Sequence, residues 1–215
     1  MLGVFNCFPI EFISPDHANG GKVILPHTIL EELQNVIDQD GKPLIFRLSA
    51  FKKECGMRSE NETYCGVLDF TAEEGCCFVP KWMMFKLGLK LESDTNHLLI
   101  EKVDLERGNY VKLEPLTRDF FDNVDLKTLL EHHLKTFVAL CEDDVLDVEY
   151  QGIVYNIRVN SIKPENKHRA ICVNEADISV DFIEPPLPPP PPSRDEPILS
   201  NTFVPFSGIG RRLCD

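Results

Sequence analysis

No stretch of this 215-residue chain stays apolar for the roughly 20 residues that a membrane-spanning helix needs. No transmembrane segment is therefore expected. Residues 1–12 are apolar, but they carry no basic n-region and meet Glu11 too early for a signal peptide. The expectation is a protein that stays in the compartment where it is made. Basic residues are scarce as well: 22 Lys and Arg stand against 35 Asp and Glu, a formal net charge of −13. Phosphate contacts need clustered cations, so no nucleic-acid partner is expected, and the acidic excess reads as solubility. Arg211 and Arg212 are a local exception near the C-terminus.

C-x-x-C pairs are missing too. The eight cysteines are Cys7, Cys55, Cys65, Cys76, Cys77, Cys141, Cys172 and Cys214, and no His follows them at zinc-finger spacing. Several lie in apolar runs where a free thiol behaves as a small hydrophobe, which fits a reducing, cytosolic or nuclear setting. Asn61-Glu62-Thr63 is a formal glycosylation sequon that stays unmodified without secretion. His132, His133, Cys141, Glu142, Asp143 and Asp144 carry metal-capable atoms. Adjacent histidines point about 100° apart on a helix, so a shared metal is not expected, and no cofactor is assigned.

Catalytic patterns are equally thin. Cys76 or Cys77 could serve as a nucleophile with His27, His97, His132 or His133 as base, but no motif ties a thiol to an imidazole. Asp69 is followed by Phe70 and Thr71, and neither Asp-Thr-Gly nor Asp-Ser-Gly occurs, which argues against an aspartic protease. The chain reads as a non-enzyme.

What is present is a β-rich body. At 43% hydrophobic the chain can bury one sizeable core or two small ones. Residues 23–25 predict a strand running into Pro26, which suits the first turn of a helix bearing Ile29, Leu30, Leu33 and Ile37 on one side. Strands are predicted at 44–50, 63–71, 76–79, 98–105 and 110–113, with a short helix at 80–87, which together suggest a closed barrel. The segment 51–62 reads as a long surface loop. Trp82, Met83 and Met84 could form an adaptable binding surface, although their helical spacing beside Phe78 and Phe85 favours the core.

A second region opens with a helix capped by Asp122 or Asp125, with Leu126, Leu129, Leu130, Leu134, Phe137 and Val138 on one face. The period then changes from 3.6 to 2. Residues 146–150 and 153–159 alternate around Gln151-Gly152, which predicts a hairpin, and 169–173 and 178–182 add two strands. The expected unit is a helix on a small antiparallel sheet.

After Phe182 the composition breaks into prolines at 185, 186 and 188–192, which predict a disordered, extended linker of roughly 3 Å per residue. That run could be a ligand for SH3, WW or profilin-type domains, or a spacer for the C-terminal segment beyond it. That segment contains Phe203-Val204-Pro205-Phe206-Ser207-Gly208-Ile209-Gly210-Arg211-Arg212-Leu213. Two glycines permit close backbone approach, and Phe206 and Leu213 offer an apolar anchor at each end, as in a peptide held by another protein.

Phe206-x-Gly208-x-Gly210-x-x-Leu213, with Phe203 upstream, resembles the SHP box by which adaptors bind the N-domain of the AAA+ unfoldase valosin-containing protein. The run Thr63-Tyr64-Cys65-Gly66-Val67-Leu68-Asp69-Phe70 and its continuation to Met84 resembles the signature block of the ubiquitin fusion degradation protein 1 family. Phe5-Asn6-Cys7-Phe8, Gly20-Gly21-Lys22-Val23-Ile24-Leu25-Pro26 and Ile178-Ser179-Val180-Asp181-Phe182 agree in the same order. The resemblance implies a double-psi β-barrel at 1–118, an α+β roll at 119–183, a proline-rich linker at 184–202 and an unfoldase-binding tail at 203–215. It also implies ubiquitin and polyubiquitin as ligands of the body, though no short motif marks the contact residues. The resemblance further implies unfoldase recruitment through Phe203, Phe206, Gly208, Gly210, Arg211, Arg212 and Leu213, with a role in degradation that includes ER-associated degradation at the cytosolic face of the ER. Relatives continue beyond the tail with a segment for a partner of the nuclear protein localization 4 family; here the sequence ends two residues after Leu213, and that partner stays open.

Overall fold

Buried and half-buried residues alternate along β1 (Gly3–Pro9), sending Phe5 and Cys7 inward. The same logic builds β2 (Lys22–Pro26), β3 (Ile45–Lys52), β4 (Met57–Ala72), β5 (Cys76–Val79) and β6 (His97–Val103). These six strands close into a barrel in the order β1-β5-β2-β4-β3-β6, with β6 pairing back onto β1. The β1–β5 and β2–β4 pairs are parallel. Closure removes the unpaired edges that would otherwise invite aggregation. The structure is a computed structural model, and it describes residues 3–34, 42–53, 56–91, 96–117, 120–121, 125, 129 and 133–183.

The barrel interior is filled by Phe46, Leu48, Cys65, Cys77, Leu98 and Ile100, each at most 2% exposed or fully buried. Each large side chain sequestered in this way contributes about 1.5–3 kcal/mol. Helix α1 (His27–Gln34) follows Pro26 as expected and buries Ile29 and Leu33, while Ile37 lies outside the described residues. Helix α2 (Lys81–Lys86) buries Trp82, Met83 and Met84 and leaves Phe85 exposed. The core reading of the Trp-Met-Met run is therefore the one the structure supports.

The rest of the body is a four-stranded sheet ordered β12-β7-β10-β9, formed by β7 (Tyr110–Pro115), β9 (Val145–Tyr150), β10 (Ile153–Lys163) and β12 (Ser179–Phe182). A separate antiparallel pair joins β8 (Ala139–Cys141) to β11 (Ala170–Cys172). The β9–β10 hairpin turns at Gln151 and Gly152, both with positive φ (52° and 80°), the turn whose twist matches the strands. Leu113, Leu146, Val148, Tyr155 and Ile157 form its buried face, and Phe120 packs edge-on against Phe121 and Tyr155.

Several expectations need correction. Segment 51–62 is not a long loop: Phe51 pairs with Arg58 and Lys52 with Met57, so the β3–β4 hairpin runs almost to its tip. Polar residues there hid a strand that is exposed on both sides. Strand β7, grouped with the barrel from its position in the chain, bonds to β10 and β12 instead. Because β12 runs parallel to β7, the second sheet is mixed and not purely antiparallel. Phe137 and Val138 do not belong to the preceding helix. Leu134–Thr136 forms a 3-10 turn and Phe137 is extended (φ −96°, ψ 147°), leading into β8. Of that helix, the Leu129 N–H donates to the Asp125 carbonyl at 2.9 Å; Asp122, Leu126 and Leu130 lie outside the described residues. Strands β1 and β8 were not anticipated, the latter because three residues are too few to show a period.

Candidate functional site

The tail residues Phe203, Phe206, Gly208, Gly210, Arg211, Arg212 and Leu213 lie outside the described residues, as does the proline run. The body's own distinctive residues converge on the joint between the barrel and the segments flanking the β8–β11 pair. Gly66 of β4 meets Val138, and Gly21, at the start of β2, meets Phe137 so closely that a Cβ there would fall 2.5 Å from its Cδ1. Only residues without a side chain allow this approach. Main-chain bonds tie the same place: Gly66 N–H donates to Gly21 O at 3.0 Å, and Gly21 N–H to Thr136 O at 3.3 Å. The Trp82 indole N–H donates to Gly20 O at 2.9 Å, and its ring packs 6.0 Å from that of Phe137.

Two polar links cross the joint. Asp144, 1% exposed, accepts from the Thr63 hydroxyl at 3.1 Å and pairs with Lys86 Nζ at 3.0 Å. Lys86 also donates to Glu142 O at 3.2 Å. Burial pushes the Asp144 carboxyl up to about 6, against the opposing pull of Lys86 and Thr63. The second link is Tyr64, fully buried, whose hydroxyl donates to Glu62 Oε1 at 2.9 Å and lies 3.1 Å from His168 Nδ1. With its one proton given to Glu62, Tyr64 Oη is left to accept from the imidazole. Burial, with Lys167 and Arg47 nearby, pushes the His168 imidazole below its usual range. Arg47 then joins Glu62 at 3.7 Å to Glu101 at 2.5 Å. Sequence reasoning missed Lys86, Asp144 and His168 as a set because their partners are remote: Thr63 and Asp144 are 81 positions apart, Tyr64 and His168 are 104.

The catalytic candidates do not assemble. Cys77 is fully buried, and a hydrogen bond to Cys7, its register partner on β1, together with burial, pushes its thiol well up. Burial pushes Cys65 up too, and Cys141 to about 12, so none of these offers a thiolate near neutral pH. Cys76 and His97 both sit opposite Asn6, on either side of β1, two strand spacings or roughly 9–10 Å apart. His27 pairs with Glu31 along α1 at 3.9 Å. Asp69 accepts from the Phe70 N–H at 2.7 Å and the Thr71 hydroxyl at 3.3 Å, both local contacts within β4. Glu142 and Asp143 are both held by Arg169, at 2.9 and 2.7 Å. His132 lies outside the described residues, and among the described residues no group of three or more His, Cys, Asp or Glu is placed to hold a metal. No described helix is long and apolar enough to cross a membrane.

The fold is thus a two-part, mostly β body whose most distinctive residues pack the parts together. Residues 2–106 match the family described as ubiquitin fusion degradation protein UFD1, N-terminal subdomain 1, and residues 107–185 match subdomain 2 of the same protein. Ubiquitin fusion degradation protein 1 of Saccharomyces cerevisiae is 39% identical over 186 residues, covering 84% of this chain and 48% of the relative. The homolog from Dictyostelium discoideum is 37% identical over 84% of this chain and 52% of its own length. Ubiquitin recognition factor in ER-associated degradation protein 1 of Mus musculus is 32% identical, covering 97% of this chain and 69% of the relative. The chain belongs to the ubiquitin fusion degradation protein UFD1 family. It spans about half the length of the yeast and Dictyostelium relatives.

Proposed function

We propose that this protein is a non-catalytic adaptor in ubiquitin-dependent protein degradation, including ER-associated degradation. Its body binds ubiquitin or polyubiquitinated clients, and its tail recruits them to the hexameric unfoldase valosin-containing protein. The observation that carries the reading is the match to both family subdomains across residues 2–185. The names of the relatives, ubiquitin fusion degradation protein and ubiquitin recognition factor, support it. So does a body whose Cys65 thiol is pushed up by burial and whose Cys77 thiol is pushed up by a hydrogen bond to Cys7 and by burial, and whose signature residues serve packing.

In the tail, Phe206 and Leu213 act as anchors, Gly208 and Gly210 permit an extended strand, and Arg211 or Arg212 meets acidic groups, with Phe203 supporting the upstream end. A peptide of this length binds with micromolar affinity, about −8 kcal/mol, and a linker converts that into useful effective concentration. The adaptor works in cytoplasm and nucleus, including the cytosolic face of the ER. A partner of the nuclear protein localization 4 family joins the assembly. Calorimetry of the unfoldase N-domain against the intact protein and a version ending at Asn201 tests the reading. Micromolar binding that vanishes with the tail supports it; no binding by either version sinks recruitment through the tail and turns attention to the polyproline segment.

A further inference from the structure

The second sheet ends, among the described residues, in two unlike edges. Strand β9 carries Asp147 and Glu149, and Glu149 accepts from the Asn19 side chain at 3.1 Å, so its edge is charged and partly engaged. Strand β12 has no Lys, no Pro and no register shift, and its one charge, Asp181, is held by the Tyr110 hydroxyl at 2.9 Å. Ser179 N–H donates to Asn109 O and Ile183 N–H to Leu113 O, both towards β7. Strand alternation therefore aims the N–H and C=O groups of Val180 and Phe182 away from β7, along the free edge.

Beside that edge lies a cleft of about 980 Å3 with an apolar floor of Leu134, Phe137, Val173, Ile178 and Val180. Among the described residues its charged lining is unbalanced: Glu175 and Asp177, both exposed, stand against Lys135. We propose that the β12 edge and this cleft form a docking surface for an extended segment of another protein that carries one bulky apolar side chain flanked by Lys or Arg. The segment adds as a strand beside Val180 and Phe182, its apolar side chain fills the cleft, and its cations meet Glu175 and Asp177. This goes beyond the adaptor reading and does not depend on the tail, since the residues involved belong to the body.

Amide exchange measured by NMR on the full chain comes first. Val180 and Phe182 should exchange at least tenfold faster than Asp181 and Ile183, which bond to β7. Protection of Val180 and Phe182 in the free protein would overturn the proposal, because the edge would already be covered by this chain. Protection that grows with protein concentration would equally overturn it, in favour of a second copy. The probe is the acetylated, amidated peptide Arg-Val-Phe-Val-Arg. It should give saturable shifts confined to residues 134–137 and 173–183 and slow exchange at Val180 and Phe182. The Glu-flanked counterpart should bind at least tenfold more weakly, and Glu175→Lys with Asp177→Lys should reverse that preference. A version of the probe N-methylated at alternate amides should also lose at least tenfold. Absence of saturation, equal affinity for both charge versions, or indifference to N-methylation would overturn the docking surface.

Discussion

Gly66 lies directly beneath Val138: a Cβ on Gly66 would fall 2.9 Å from the Val138 Cβ and closer still to its Cγ2. Gly66→Ala should therefore force the barrel and the β8 segment apart, costing about 1–3 kcal/mol as overpacking does. Val138→Ala creates space at a smaller cost, and because the Val138 Cβ itself lies 2.9 Å from the added Cβ, the double variant should recover only the part of the Gly66→Ala loss that the Cγ2 contact causes. Urea unfolding of all four forms gives the coupling directly. Additive losses would mean that the contact does not hold the parts together.

The Lys86–Asp144 pair makes a second, separable prediction. Removing one member leaves a buried charge alone, so Lys86→Met should cost about 3–5 kcal/mol. Replacing both, Lys86→Met with Asp144→Leu, should cost clearly less than the single change, because the desolvation of two ions is avoided. Thermal or urea denaturation of the three proteins checks the order.

The pH dependence of Asp144 runs against the habit of surface carboxylates. Its folded value, about 6, lies above the unfolded value near 3.9, so the folded state binds the proton more tightly. Its contribution is fully present below about pH 4 and is lost as pH rises through about 6. Other carboxylates add their own slopes, so the difference between wild type and Asp144→Asn isolates it. That difference should shift against the wild type by up to about 3 kcal/mol between pH 4 and pH 7.5 and stay level above. A difference that does not change with pH would show that Asp144 is ionised throughout.

The contrast between what the sequence revealed and what it hid tracks the range of the interactions. Alternation in 146–159 announced the β9–β10 hairpin because its pairing is local, and Pro26 announced α1 for the same reason. The signature block was legible as a family resemblance, yet its purpose was not: Gly66, Gly21 and Trp82 matter through Val138, Phe137 and Gly20, contacts that no periodicity encodes. Phe137 illustrates the cost of reading period alone. It continues the 3.6-residue spacing of Leu130 and Leu134, but packing against Gly21 and Trp82 holds it extended. Asp144 stood out in the sequence only for its metal-capable atoms; the fold buries it against the half-buried Lys86, a partner 58 positions away that no local pattern announces.

The tail proposed for recruitment gives a prediction that the body should not feel. Phe206→Ala removes the main apolar anchor of the proposed motif, so affinity for the unfoldase N-domain should fall by about 2 kcal/mol or more, roughly thirtyfold. The described body, with its own closed core through Phe182, should keep its unfolding midpoint and any ubiquitin affinity. Calorimetric titration with the N-domain, paired with a thermal melt and a ubiquitin-chain titration of the same variant, separates the outcomes. Unchanged unfoldase affinity would remove Phe206 from the contact. A lowered melting temperature would instead tie residue 206 to the stability of the body, and the loss of affinity could then no longer be assigned to the anchor alone.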